Sequence, residues 1–272
     1  MIDKIAIQKY RKLNELEINF NSTVNIIAGT NGTCKSSILY MISNAFQAMN
    51  SKNNRLRDTK AISTINSIND GLNLKIEKLT KGDSIYNDPA QGHRGTLYTC
   101  YYENGDELPF RKHNTKLANR YSVKPKYPKG TKQSLPPLPV LYLGLSRLYA
   151  FGEYQNSDFE KIKKKLPPEY MEIIKNEYKK FTHVEIQNEE IETMGSIKKR
   201  AKFTTDKDGI DSNTISAGED NLLIILTALV SLRYHHDNVE IDKERKTESI
   251  YLIDEIDATL HPAYQIKLLG RV

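Results

Sequence analysis

Nine residues near the N-terminus, Gly29-Thr30-Asn31-Gly32-Thr33-Cys34-Lys35-Ser36-Ser37, have the types and spacing to bind phosphate. The run before them, Thr23–Ala28, is β-rich and short. The run after them sets Ile38, Met41, Ile42, Ala45, Phe46 and Met49 at helical spacing. Strand, glycine-rich loop and helix in that order are the context a phosphate loop requires. The N–H groups of such a loop converge on phosphate oxygens, and the helix N-terminus adds partial positive charge. Lys35 would reach the β- and γ-phosphates, and Ser36 would place its hydroxyl on Mg²⁺. One position departs from the pattern, because Cys34 stands where glycine normally precedes the lysine. A Cβ there restricts the loop. No His or acid stands near Cys34 in sequence to act as its base, so a catalytic thiol is not expected. The alternative for the whole motif is an ordinary glycine-rich turn.

A second group is Ile250-Tyr251-Leu252-Ile253-Asp254-Glu255. Four apolar residues ending in two carboxylates fit a buried parallel strand that delivers acids to its C-terminal edge, where ligands bind. Asp254 would serve Mg²⁺ through water, and Glu255 would orient or deprotonate an attacking water. Taken alone, the pattern is equally a plain strand end. A third group, Ser216-Ala217-Gly218-Glu219, precedes an apolar helix and by itself reads as a helix cap.

Together these groups resemble the ABC-type ATPase heads of the SMC, RecF and OLD superfamily. The likeness rests on the phosphate loop, on Ser216–Glu219 and on Leu252–Pro262, Leu-Ile-Asp-Glu-Ile-Asp-Ala-Thr-Leu-His-Pro. Transporter ATPases usually follow the acidic pair with Pro-Thr-Ser-Ala-Leu-Asp, whereas Leu260-His261-Pro262 is similar to the OLD-like, anti-phage branch. Within that branch, Asn31–Ser37, Tyr142–Leu148 and Ser216–Leu222 resemble the ATPase subunits of Septu-type anti-phage defence, which also occur beside retrons. The resemblance implies a P-loop α/β fold with a mixed central sheet, an antiparallel β region and a helical lobe. It implies ATP and Mg²⁺ as cofactors, with Lys35 and Glu255 catalytic and Ser36 and Asp254 on the metal. Gly29 to Ser37 would bind nucleotide from one copy. Ser216, Gly218 and Glu219 would close over it from another, in a homodimer or higher oligomer. The implied partner is an HNH nuclease subunit. A DNA-repair ATPase of the RecF or SMC kind and an ATP-gated, non-hydrolysing scaffold remain as other readings. The family also carries a switch histidine after the next strand. The sequence ends 17 residues after Glu255, so the expectation is a head cut before its last strands. His261 comes too early for that switch and is expected in the inter-subunit loop with Asp257. No glutamine can be assigned to the Mg²⁺-sensing loop.

The positioning elements follow from pattern. Ile2–Ile7 and Leu13–Phe20 alternate as strands, and so does Leu72–Ile76. Thr96–Tyr102 is an aromatic strand with a hairpin signal at Asn104-Gly105. Six prolines within 109–139 predict mostly loop, and Val140–Leu145 a strand. Residues 157–181 read as a charged helix carrying Lys161–Lys165 on a solvated face, and 183–210 as short strands. Leu222–Tyr234 reads as a buried helix and Pro262 as a helix start. The expected organisation is a single head over 1–272. Its parts are 1–50 with the phosphate loop, 51–140 rich in β and basic loop, 141–235 helical, and 250–272 with the acidic strand.

Composition narrows the class. The 272 residues are 38% apolar and 27% charged, enough for a core. The longest apolar run, Leu222–Leu232, has 11 residues, well short of the roughly 20 of a membrane span. No N-terminal run has signal-peptide length, and two cysteines make no disulfide framework, so a cytoplasmic, reducing compartment is expected. The net charge of +6 permits a polyanionic partner. Leu108–Gly152 contains nine Lys or Arg and no Asp or Glu, with Tyr121 and Tyr127 interleaved. This basic loop, 111–132, reads as a nucleic-acid backbone contact, a solvated loop, or a patch for an acidic protein.

Overall fold

Alternation along the first residues gives β1 (Ile2–Tyr10), with Ile5, Ile7 and Tyr10 buried, and then β2 (Leu13–Asn19). They pair antiparallel from Lys4 opposite Asn19 to Tyr10 opposite Leu13. The computed structural model describes residues 1–21, 23–46, 88–114, 121–131, 133–136, 138–148, 160–161, 166–194, 198–238 and 248–269. The chain divides into two compact units. The first comprises Met1–Gln47 and Leu74–Leu138, the second Ala48–Asn73 and Pro139–Val272.

In the first unit, helix α1 (Lys35–Asn44) follows the glycine-rich loop. β3 (Thr96–Tyr102), β4 (Glu107–Asn114) and β5 (Tyr121–Pro125) complete a sheet of order β2-β1-β3-β4-β5. Every pairing in it is antiparallel. Asn104-Gly105 makes the expected turn, with Gly105 at φ 81° and its N–H donating to the Tyr102 carbonyl at 2.9 Å. The tyrosines of β3 are packing residues. Tyr98 stacks on Phe110 with ring centroids 4.7 Å apart, and the Tyr102 hydroxyl donates to the Ala45 carbonyl at 2.7 Å.

In the second unit, β6 (Val140–Leu143) leads into a 3₁₀ turn, Leu145–Leu148. The short β7 (Glu160–Lys161), β8 (Ile186–Met194) and β9 (Lys198–Thr205) form an antiparallel sheet in that order. Helix α2 (Pro168–Thr182) buries Met171, Ile174, Tyr178 and Phe181, one stripe at helical period. Helix α3 (Ala217–Asn238) is buried on nearly all sides; Leu222, Leu223, Ile225 and Ala228 have 0% exposure. It shares one core with that stripe. β10 (Ile250–Ile253) pairs parallel with β6, Ile250 opposite Val140 and Ile253 opposite Leu143. Helix α4 (Pro262–Leu269) begins at its proline.

Three sequence expectations are corrected. Thr23–Ala28 is not a strand. Asn25 folds back on Asn21, its Oδ1 accepting from Asn21 N and its Nδ2 donating to Asn21 O, both at 2.8 Å. Such local closure competes with a ladder, and Val24 and Ile26 stay 41% and 77% exposed. Without that strand, the described residues form a five-stranded and a three-stranded antiparallel sheet and a separate parallel pair, not one mixed sheet. The helix expected from 157 starts at Pro168. Pro167 has φ −55° and ψ 152°, because a residue before proline is driven out of the helical region. Lys161 lies on β7 opposite Glu192, and 157–159 and 162–165 fall outside the described residues. The proline-rich stretch, expected to be mostly loop, carries the rest of β4 and all of β5 and has no strand at 126–131, 133–136 and 138–139. The Pro109 carbonyl still accepts from Lys126 N at 2.7 Å, and Pro125 closes the edge strand, where proline is tolerated. The strand expected at Leu72–Ile76 also lies outside the described residues.

Candidate functional site

The glycine-rich loop is closed by its own side chains. Thr33 Oγ1 donates to the Thr30 carbonyl at 2.8 Å, and a Cβ on Gly29 would come within 3.0 Å of that Oγ1. Gly32 has φ 80° and Cys34 φ 68°, after which Lys35 opens α1. The Lys35 ammonium donates to the Gly29 and Thr30 carbonyls at 2.8 and 3.1 Å. Among the described residues it meets no carboxylate, so its charge is held over the loop by neutral oxygens alone. Ser36 is half-buried in the first helical turn. Ser37 is buried and accepts from Arg11 Nη1 at 3.1 Å.

Arg11 and its neighbour Lys12 did not stand out in the sequence. They form the tip between β1 and β2, where Arg11 takes φ 53°. Lys12 Nζ lies 3.4 Å from where a Cβ on Gly32 would be. Lys35, Arg11 and Lys12 thus gather three cations at one loop. The available signal was a pair of cations at a strand–turn–strand junction, and only the hairpin geometry ties it to the loop.

The left-handed Cys34 explains why glycine is usual there. An L-residue in that region costs roughly 1–2 kcal/mol, and glycine adopts it freely at some entropic cost. Cys34→Gly is expected to raise unfolding stability by about 1 kcal/mol and to keep or raise phosphate affinity. Urea denaturation and calorimetric titration check both; lost binding would give the thiol a role.

In the second unit, Asp254 directly follows β10 and is buried. Its N–H donates to the Leu143 carbonyl at 2.9 Å, and its Oδ2 accepts from the Tyr142 hydroxyl at 3.1 Å. A Cβ on Gly144 would come within 2.9 Å of the Tyr142 ring, so this glycine lets β6 leave past the tyrosine. Glu255 is exposed and left-handed at φ 49°. The two neighbouring carboxylates are therefore separated, one held inside and one presented outward, by backbone strain of the kind that gathers at functional positions.

Ser216 and Glu219 form a reciprocal cap on α3. Ser216 Oγ and N both donate to Glu219 Oε2, at 2.8 and 2.9 Å, and Glu219 N donates to Ser216 Oγ at 3.2 Å. Gly218 meets the segment after Glu255, since a Cβ would fall 2.7 Å from the Thr259 carbonyl oxygen. Asn221 Nδ2 donates to Thr259 Oγ1 at 2.8 Å. The structure thus brings the Ser216–Glu219 turn together with the segment from Asp254 to Leu260. Asp257 is exposed there, and His261 Nδ1 accepts from Ala263 N at 3.2 Å at the start of α4. Gly29 to Ser37 belong to the first unit, and Asp254, Glu255 and the turn to the second. Gly218→Ala forces a methyl against backbone and is expected to cost about 1–3 kcal/mol of stability, measurable by urea denaturation.

The Ser36 hydroxyl and the Asp254 carboxylate are hard oxygen donors suited to Mg²⁺. Among the described residues no group of three or more His, Cys, Asp or Glu could form a metal cage. No protein-family model matches the chain, and no curated protein matches it. What stands is a mixed α/β chain with an antiparallel sheet and, among the described residues, four helices, none long and apolar enough to cross a membrane.

Proposed function

We propose that the chain is an ATP-binding and ATP-hydrolysing head of the ABC type, working as a homodimer or higher assembly that regulates a partner. The observation that carries this reading is the Gly29–Ser37 loop, which keeps the following helix although no strand directly precedes it. It opens a helix, takes left-handed backbone at Gly32 and Cys34, and holds the Lys35 ammonium on carbonyl oxygens that a phosphate can replace. Loop N–H groups and Lys35 bind the phosphates. By the resemblance, Ser36 and Asp254 would each serve Mg²⁺, which would neutralise phosphate charge. The Tyr142 hydroxyl fixes one oxygen of Asp254.

Glu255, facing outward, takes the proton of the water that attacks the γ-phosphorus, and ADP and phosphate leave. Ser216 and Gly218 of a second copy close over the γ-phosphate. The Ser216 hydroxyl is donated to Glu219 in the single chain, so engaging a phosphate requires it to rotate away. An HNH nuclease as partner, and a role in anti-phage defence, rest on the resemblance of Tyr142–Leu148 and Ser216–Leu222 to Septu-type ATPase subunits.

Phosphate release from Mg-ATP tests the reading. Steady release by the wild type and none by Lys35→Ala supports it. ATP binding without any release would identify a non-hydrolysing scaffold.

A further inference from the structure

Strand alternation splits β4 between two sides of the sheet. Leu108 and Phe110 are buried on one side, while Arg111 and His113 are exposed on the other, together with Glu107 four residues before Arg111, opposite Tyr101 of β3. Register places Arg111 directly opposite Lys124 on β5. Lys126 comes directly after β5, its N–H donating to the Pro109 carbonyl at 2.7 Å. Lys129 follows, and all four cations are exposed. None of the four is paired with a carboxylate among the described residues, whereas Lys112, on the opposite side, is neutralised by Asp88 at 2.6 Å.

Like charges directly opposite on one sheet face destabilise the pairing. The stretch Leu108–Gly152 nonetheless supplies no acidic residue to relieve it. A row of cations along an edge strand suits an anion that repeats along a line. Among the described residues Tyr127, 37% exposed, is the one large apolar side chain exposed here, too little for the apolar centre a protein interface ordinarily has. It does offer a ring on which a base can stack.

We infer that this face of β4 and β5 binds the phosphate backbone of nucleic acid, independently of base sequence. The inference does not depend on ATP hydrolysis.

The test is fluorescence anisotropy of the 272-residue chain with labelled single- and double-stranded oligonucleotides of mixed sequence, from about 50 to 200 mM salt. With four cations engaged, log affinity for duplex should fall with log salt at a slope of about −3.6. The double variant R111E/K124E should bind at least about tenfold more weakly and flatten that slope by about 1.8. Arg111→Glu alone turns a repulsive pair into an attractive one, so it should raise the melting temperature while weakening binding, which misfolding cannot do. Lys207→Glu, in the second unit, should leave binding unchanged. No binding by the wild type at low salt, or equal binding by R111E/K124E, overturns the inference. So does an acidic protein held by the wild type and released by R111E/K124E when neither binds nucleic acid.

Discussion

Lys35→Ala is expected to bind Mg-ATP at least about tenfold more weakly than the wild type. Among the described residues its ammonium bonds the Gly29 and Thr30 carbonyls, at 2.8 and 3.1 Å, neutral oxygens that phosphate oxygens can replace. Hydrogen bonds to charged groups contribute about 1.5–3 kcal/mol, and each 1.4 kcal/mol is about tenfold in affinity. Arg11 and Lys12 remain at the loop, so binding should weaken without vanishing. Isothermal calorimetry reads the constant, and a thermal melt shows whether the loop has survived. Equal affinities in the two proteins would remove Lys35 from the site.

Glu255→Gln is expected to keep ATP binding and to lose about 10²–10⁴-fold in turnover, the usual contribution of a general base. Glutamine keeps the size and hydrogen-bonding capacity of the side chain but cannot take the proton. Glu255 is exposed at φ 49°, whereas Asp254 beside it is buried under the Tyr142 hydroxyl. The substitution should therefore leave the structure intact. Phosphate release under single-turnover conditions measures the loss; a rate within twofold of wild type would assign the base elsewhere.

The elements with a strong repeat were legible in the sequence. β1 and β2 alternate, α1 begins and the buried α3 lies where the apolar spacing puts them, and β10 ends at Ile253, just before Asp254, as its four apolar residues imply. The departure at Cys34 was legible too, since a position that wants glycine is one with positive φ, and Cys34 has φ 68°. What escaped was tertiary or set by local competition. Tyr142 and Asp254 are 112 residues apart, and nothing in either stretch announces their hydrogen bond. Arg11 reaches Ser37 only because a hairpin turns toward the loop. The β-rich Thr23–Ala28 is overruled by one asparagine closing on the backbone four residues earlier, and the charged helix is cut by two consecutive prolines. Ser216 could be read as a cap or as a phosphate donor. Its hydroxyl is a cap here, which restrains the other role without removing it.

Sedimentation of Glu255→Gln with and without Mg-ATP tests the central claim, that two copies close over one nucleotide, most directly. The variant should be a larger species with Mg-ATP than without it, and adding Ser216→Arg should abolish the shift. A Glu255→Gln chain that binds ATP to saturation and sediments identically in both conditions would contradict the account.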